Sequence, residues 1–465
     1  MTPQEKMQES FAKMFMAQTL GWGEGDVAQI RATASPQQMY FDMVRETPVK
    51  DLGQGFFRVT SMADIIAVTR NHSVVQGSEY LGSDRPAIPL GLDGPIHKQY
   101  RHMMDPVFAP RRIEPLGAQV EKLAHELIDT FIDNGEVDAY KEWCEPLPSI
   151  IFLSIMGLPL EEYDRFHNFK NLILGNAELD DISPEERVAR STEAVVWLQS
   201  YFNADLDARE KESAPRDDMI GWLLTAEVDG HRLGRTEMLD ILGLLMIAGL
   251  DTVAASLGCF LSYLARTPDQ RKLLVDNPDV TRRAVEELMR YESPVTEGYR
   301  VAKADIDLPS GVHVPAGSWM LISWSAANVD PAVFENPLKV DFNREPNPHI
   351  GFASGFHRCL GSHLARLELS VALNAWHSRI PDYRIRDTIC HLSGGNDMSE
   401  ERLAGLRASL DLAEISPGLY RAPHVGEGRG VVFGGQLLGQ AIVATTRTHP
   451  TKRVKSVQTV FAKGL

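Results

Sequence analysis

Cysteine is scarce and dispersed in this chain. The 465 residues hold four, Cys144, Cys259, Cys359 and Cys390, and no two of them form a CxxC pair. That spacing argues against a disulfide framework or a structural zinc site. Positive charge is also in deficit: 47 Lys and Arg stand against 63 Asp and Glu, a formal charge of −16. Such a surface repels nucleic acid and anionic membranes, so neither is an expected partner. The N-terminus, MTPQEKMQESFAKMFMAQTLGWGEGD, lacks a basic region running into an apolar stretch and a small-residue cleavage site. No secretory signal or membrane anchor is read there, and a cytoplasmic protein is expected. Internal repeats and low-complexity tracts are lacking too.

What is present is ordinary for a soluble globular protein, 43% hydrophobic and 24% charged. The length allows one large domain or two or three smaller ones, with core enough to enclose a cofactor. Residues 239–264, LDILGLLMIAGLDTVAASLGCFLSYL, are apolar enough to suggest a membrane span. Asp251 near the middle would cost roughly 2.5–3.5 kcal/mol at a bilayer centre, so a buried central helix of a soluble domain is expected instead. GFFRVT followed by SMADIIAVTR reads as a strand and a helix. Helical spacing dominates from about 97 to 290, and alternation with PSG and PAG turns predicts short strands over 300–325. A further helix is expected near Leu360.

The segment Phe352-Ala-Ser-Gly355-Phe-His357-Arg-Cys359-Leu-Gly361 carries the main chemical signal. A lone cysteine is ordinarily an inert buried thiol. Here Gly355 and Gly361 allow tight turns and close approach to a flat ligand. A helix starting just after Cys359 would favour a thiolate through its free N–H groups and dipole. No Cys-His-Asn protease context surrounds it, which weakens a nucleophile reading.

These residues resemble the haem-binding loop of the cytochrome P-450 family. The resemblance makes Cys359 the axial ligand of the iron in haem b (iron protoporphyrin IX). It also packs Phe352 near the sulfur, sets Gly361 in the loop and places His357 on a haem propionate. Three further segments are similar to the same family. The first is Ala248-Gly249-Leu250-Asp251-Thr252. Read from the residues, it is either a Thr hydroxyl bonded to a carbonyl one turn back beside a satisfied Asp, or a groove that admits dioxygen. The resemblance sets Ala248 and Gly249 against the haem and gives proton delivery to Asp251 and Thr252. The second is Glu287-Leu-Met-Arg290, a spacing usually found as a solvated surface pair. The resemblance makes it a structural lock beside the haem. The third is Asp93-Gly-Pro-Ile-His97-Lys-Gln-Tyr-Arg101, whose His97 and Arg101 share a helical face. With Arg300, the resemblance assigns them to the haem propionates.

The expected fold is therefore mainly α with a small β-sheet region, a cytochrome P-450 fold over residues 1–397 lacking its usual final hairpin. From Met398 the sequence is similar to another family, the type II acyl-CoA thioesterases, over LDLAEISPGLYRAPHVGEGRGVVFGGQLLGQAIVATTRTHP. Residues 398–465 would then be a truncated, inactive N-terminal fragment of a hot-dog (α+β) fold. Met398 reads as a natural translation start, as if two reading frames had been joined.

The implied activity is insertion of one oxygen atom of O2 into a C–H bond of a small apolar substrate, lipid-, terpenoid- or steroid-like. Electrons would come from a separate ferredoxin and its NAD(P)H reductase, because no flavin or iron–sulfur domain is read in the chain. Substrate contacts are expected from the 75–92 loop, the 165–190 region, Leu245, Ala248, Val295 and Thr296. Arg111, Arg112, Arg358 and Arg366 are candidates for a docking face toward an acidic ferredoxin. A haem protein that does not hydroxylate, or a non-productive chimera, are the alternatives.

Overall fold

The computed structural model describes residues 36–75, 87–174 and 184–385, with two strands at Ala413–Ser416 and Leu419–Arg421. The chain divides into two units, Met1–Leu392 and Ser393–Leu465.

The first described element of this unit is helix α1 (Gln37–Glu46), followed by the expected strand and helix. Strands β1 (Val49–Gly53) and β2 (Phe56–Val59) pair antiparallel. Helix α2 (Met62–Thr69) starts where Ser61 Oγ accepts from Asp64 N–H at 3.1 Å, a side-chain N-cap. Beyond β3 (Val74–Val75) come α3 (Gly94–Met104), α4 (Gly117–Asp129), α5 (Pro146–Met156), α6 (Tyr163–Leu174) and α7 (Pro184–Arg209). In α5 proline sits at the first helical position, where no N–H is needed, and Gly157 closes the helix at φ +77°. A small hairpin, β4 (Glu227–Val228) with β5 (His231–Arg232), interrupts the run read as helical from 97 to 290.

The expected single helix over 239–264 is two helices, α8 (Arg235–Gly249) and α9 (Thr252–Arg266), broken at Leu250 and Asp251. This is also the one stretch among the described residues long and apolar enough to cross a membrane. Its halves serve two different cores. Met238, Ile241, Leu242, Leu245, Met246 and Leu250 pack with α3, α5, α6 and α7. Val253, Leu257, Phe260, Leu261 and Leu264 pack with α4, α10 (Thr281–Glu292) and α11 (Ser362–Arg379). The break falls at the handover between them.

The strands expected over 300–325 are β6 (Glu297–Ala302), β7 (Ile306–Asp307), β8 (His313–Val314) and β9 (Trp319–Ser323). Five strands form one sheet in the order β1-β2-β9-β6-β3, with β2 and β9 parallel. Central strands β2 and β9 are buried almost throughout, Arg58 of β2 included, whereas edge strand β1 is largely exposed. The helix expected near Leu360 is α11. In the second unit β10 (Ala413–Ser416) and β11 (Leu419–Arg421) pair antiparallel. The HLSGGND loop and the helix expected from Met398 lie outside the described residues.

Candidate active site

Three residues near the middle of the first unit are solvent-exposed: Ala248, Thr252 and Cys359. All three face one internal cavity of about 310 Å³. Its apolar wall includes Phe108, Phe152, Leu244, Leu245, Val295 and Trp324. Aliphatic and aromatic walls with few polar groups are what a small-molecule or cofactor site presents.

The chain reaches Cys359 through a shaped loop. Gly355 has φ +71°, and a Cβ there would lie 2.0 Å from the carbonyl oxygen of Thr69, so only glycine fits. Cys359 N–H donates to Phe352 O at 2.9 Å, which closes the loop. Burial pushes the Cys359 thiol up, while the Gly361 N–H and then Arg101, Arg366 and Arg358 pull it down. With no cation at the sulfur the net direction is upward. A metal cation at the sulfur would reverse it, because coordination deprotonates a thiol. Gly361 lines the cavity, and a Cβ there would meet no protein atom within 4 Å.

One edge of the cavity gathers His97, Arg101 and His357. The two imidazoles lie 4.2 Å apart between centroids. His357 Nε2 contacts Asp93 Oδ1 at 3.0 Å, and its Nδ1 is buried without a partner. Burial, then His357 and Arg101, push His97 down to about 4. Arg101 Nη1 donates to Arg358 O at 2.8 Å. Arg300 does not line the cavity. It stands behind, its guanidinium 5.8 Å from the centre of the Trp324 ring, which does.

Thr252 Oγ1 donates to Ala248 O at 3.1 Å while facing the cavity, so both readings of its hydroxyl apply at once. Asp251 is not in the cavity wall. It pairs with fully buried Lys170 at 3.2 Å. Lys170 also meets Glu145 at 2.5 Å, and Glu145 meets His167 at 2.7 Å. Adjacent residues thus face opposite sides of the helical break.

Glu287 and Arg290 are not a solvated pair. They form a two-pronged contact at 2.8 Å on both prongs and are 1% and 0% exposed. Of the expected substrate contacts, Leu245, Ala248 and Val295 line the cavity. Thr296 does not; its side chain meets the Tyr40 hydroxyl and its carbonyl accepts from Ser325, which turns it toward α1. Two of the expected docking arginines have partners: Arg112 bonds Asp217 at 2.9 Å, and Arg366 bonds Glu286 at 2.6 and 2.9 Å. Sequence reasoning missed Phe152, Ser256, Trp324 and Glu368 in the wall. Glu368 is the odd one: its Oε1 has no partner, and burial pushes its carboxyl up to about 8.

The family model named Cytochrome P450 matches residues 84–376. The chain belongs to the cytochrome P450 family. A Mycinamicin IV hydroxylase/epoxidase from Micromonospora griseorubida is 32% identical over 344 residues, 72% of this chain and 84% of the relative. A Steroid C26-monooxygenase from Mycobacterium tuberculosis is 30% identical over 372 residues, 79% of this chain and 92% of the relative. Among solved structures, cytochrome P450 PksS of Bacillus subtilis superposes with a TM-score of 0.68 at 30% identity, covering 75% and 90% of the two chains. CYP109E1 of Bacillus megaterium, in complex with corticosterone, gives 0.70 at 25% identity, covering 77% and 94%.

Members of this cytochrome P450 family bind haem b, and the chain is a monooxygenase of that family. The residues present fit the group. A thiol opens on the cavity, a buried unpartnered imidazole nitrogen stands at the edge where His97 and Arg101 gather, and a residue without a side chain leaves room beside the sulfur.

Proposed function

We propose that this monooxygenase inserts one atom of dioxygen into a C–H bond of a small, uncharged, apolar molecule. The observation that carries the reading is the position of Cys359, whose thiol opens on the same cavity that exposes Ala248 and Thr252. When bound, the haem supplies dioxygen activation and oxygen transfer. The protein's part is to bind, orient and manage protons. Cys359 would hold the iron and, as thiolate, supply it with electron density. Phe352 and Gly361 shape its loop. His97, Arg101, His357 and Arg300 would hold the propionates, Arg300 from beside the Trp324 ring. Ala248 and Gly249, both in the cavity wall, would border the haem.

Thr252 holds a proton at Oγ1 facing the cavity, and Asp251 exchanges protons from the Lys170 side of the break. Glu287 and Arg290 lock the core around the loop. Leu245, Ala248 and Val295 contact substrate. Their apolar character favours a lipid-, terpenoid- or steroid-like molecule, in keeping with the relatives' names. Electrons come singly from a ferredoxin and its NAD(P)H reductase. We assign catalysis to residues 1–397 and read 398–465 as a thioesterase-like segment.

The test is a reduced, CO-bound absorption spectrum. A strongly red-shifted Soret band is expected, and Cys359→Ser should abolish the shift. An ordinary haem–CO band in the parent protein would overturn the assignment.

A further inference from the structure

The break between α8 and α9 needs a cause. No proline lies between Arg235 and Arg266. The flanking runs, ILGLLMIAG and TVAASLGCFL, favour helix, and Gly249 alone costs only about 1 kcal/mol. Helices otherwise kink where another side chain intrudes on their hydrogen-bond ladder.

Two such side chains come from α5. A Cβ on Gly249 would sit 2.3 Å from Phe152 Cε2 and 2.5 Å from its Cδ2 and Cζ, so the ring occupies the place a side chain would take. One residue further, Ser149 Oγ donates to the carbonyl of Leu250 at 3.3 Å. Ser149 and Phe152 lie three apart, on one face of α5, and both are buried. A carbonyl turned out of a helix in a dry core is costly unless another donor meets it, and Ser149 is that donor. Phe152, Gly249 and Thr252 all line the cavity. The brace therefore acts where the cavity meets the break.

We propose that Phe152 and Ser149 are positioning residues that hold the break open from α5 and so set the shape of the groove beside Thr252. Phe152 fixes how closely Gly249 approaches α5, and Ser149 holds Leu250 out of register. This rests on the reading that the cavity takes haem.

The experiment uses the haem-loaded protein with carbon monoxide as the probe. It reads the infrared CO-stretch band and amide hydrogen exchange across residues 249–256. Ser149→Ala should speed exchange at 250–255 about fivefold, the worth of one modest hydrogen bond. Ser149→Thr keeps the hydroxyl and should exchange like the parent. Phe152→Leu should shift or broaden the CO band. Gly249→Ala should shift it further, and adding Phe152→Ala should bring it back, because the second change makes room for the new methyl.

The red-shifted Soret band should persist in every variant that loads haem. Its absence from the parent overturns the haem-thiolate reading, not the brace. Parental CO bands and exchange rates in both Ser149→Ala and Phe152→Leu overturn the brace. If Gly249→Ala fails to load haem, those two variants decide the matter.

Discussion

Replacing Arg290 with methionine tests how much of the fold depends on one buried cation. The Arg290 guanidinium meets both oxygens of Glu287 and the carbonyls of Asn328, Pro337 and Lys339. Methionine fills similar space but donates nothing. Glu287 would keep Arg344 at 3.0 Å and the Asp341 N–H at 2.9 Å, so its charge is not wholly abandoned. Breaking a buried pair from one side costs roughly 3–5 kcal/mol. Each stranded carbonyl adds about 1–3 kcal/mol, less where water or a neighbour can reach it.

The sum starts at roughly 5 kcal/mol, which is the lower edge of the total stability of a domain. Arg290→Met should therefore lose most soluble, haem-loaded protein. Any recovered fraction should melt roughly 10 °C or more below the parent. Arg290→Lys should also fail, because an ammonium cannot span a carboxylate and three carbonyls set in different directions. The double variant Glu287→Leu/Arg290→Met should melt above Arg290→Met, since removing both charges spares the abandoned carboxylate. Arg290→Met with normal haem loading and a melting point within about 2 °C of the parent would refute the reasoning.

Two buried charges should give opposite pH signatures. Glu368 has its folded pKa raised to about 8 by burial, so its cost is absent below about pH 4.5 and grows as pH rises toward 8. Glu368→Gln should gain on the parent over that window, by up to about 3 kcal/mol at pH 7 in denaturant titrations, and a pH-independent difference would count against it. For Glu145, burial opposes ionisation, but His167 and Lys170 outweigh it and hold the carboxyl below its ordinary value. Its stabilisation is therefore present above the ordinary carboxyl pKa and lost as pH falls through the lowered one. Lys170→Met should destabilise by roughly 3 kcal/mol at pH 7, with the gap to the parent narrowing in acid; a widening gap in acid would contradict the assignment. Gly355→Ala should push the Cys loop off Thr69 and lower haem loading, measured as the fraction of protein giving the red-shifted CO band; full loading would show that the loop tolerates a Cβ.

The Cys loop was legible because its chemistry is local. Glycines, a histidine and a cysteine within ten residues dictate a turn, and Gly355 at φ +71° against Thr69 is what that pattern requires. The strands of the small sheet were legible for a similar reason, since alternation and PSG or PAG turns are short-range signals. The break in α8–α9 was not. Its apolar runs read as helical, and beside the local bond from Thr252 Oγ1 to Ala248 O the contacts that meet it come from about a hundred residues away in α5. Glu368 and Lys170 were equally hidden, because only the packing of other helices shows that these charged side chains are buried.

Asp251 and Thr252 show the same limit at the level of function. As neighbours in sequence they invite one shared role, and a regular helix would set them only about 100° apart. The break changes this. Asp251 leaves helical geometry at φ −126° and turns to Lys170, while Thr252 starts the next helix and faces the cavity. On the proton-delivery roles proposed above, a proton passing between them would cross the break rather than move along one face. The positions that govern that crossing are then the ones that shape the break, Phe152 and Ser149 on one side and Lys170 on the other. None of the three belongs to the motif that first drew attention to the segment.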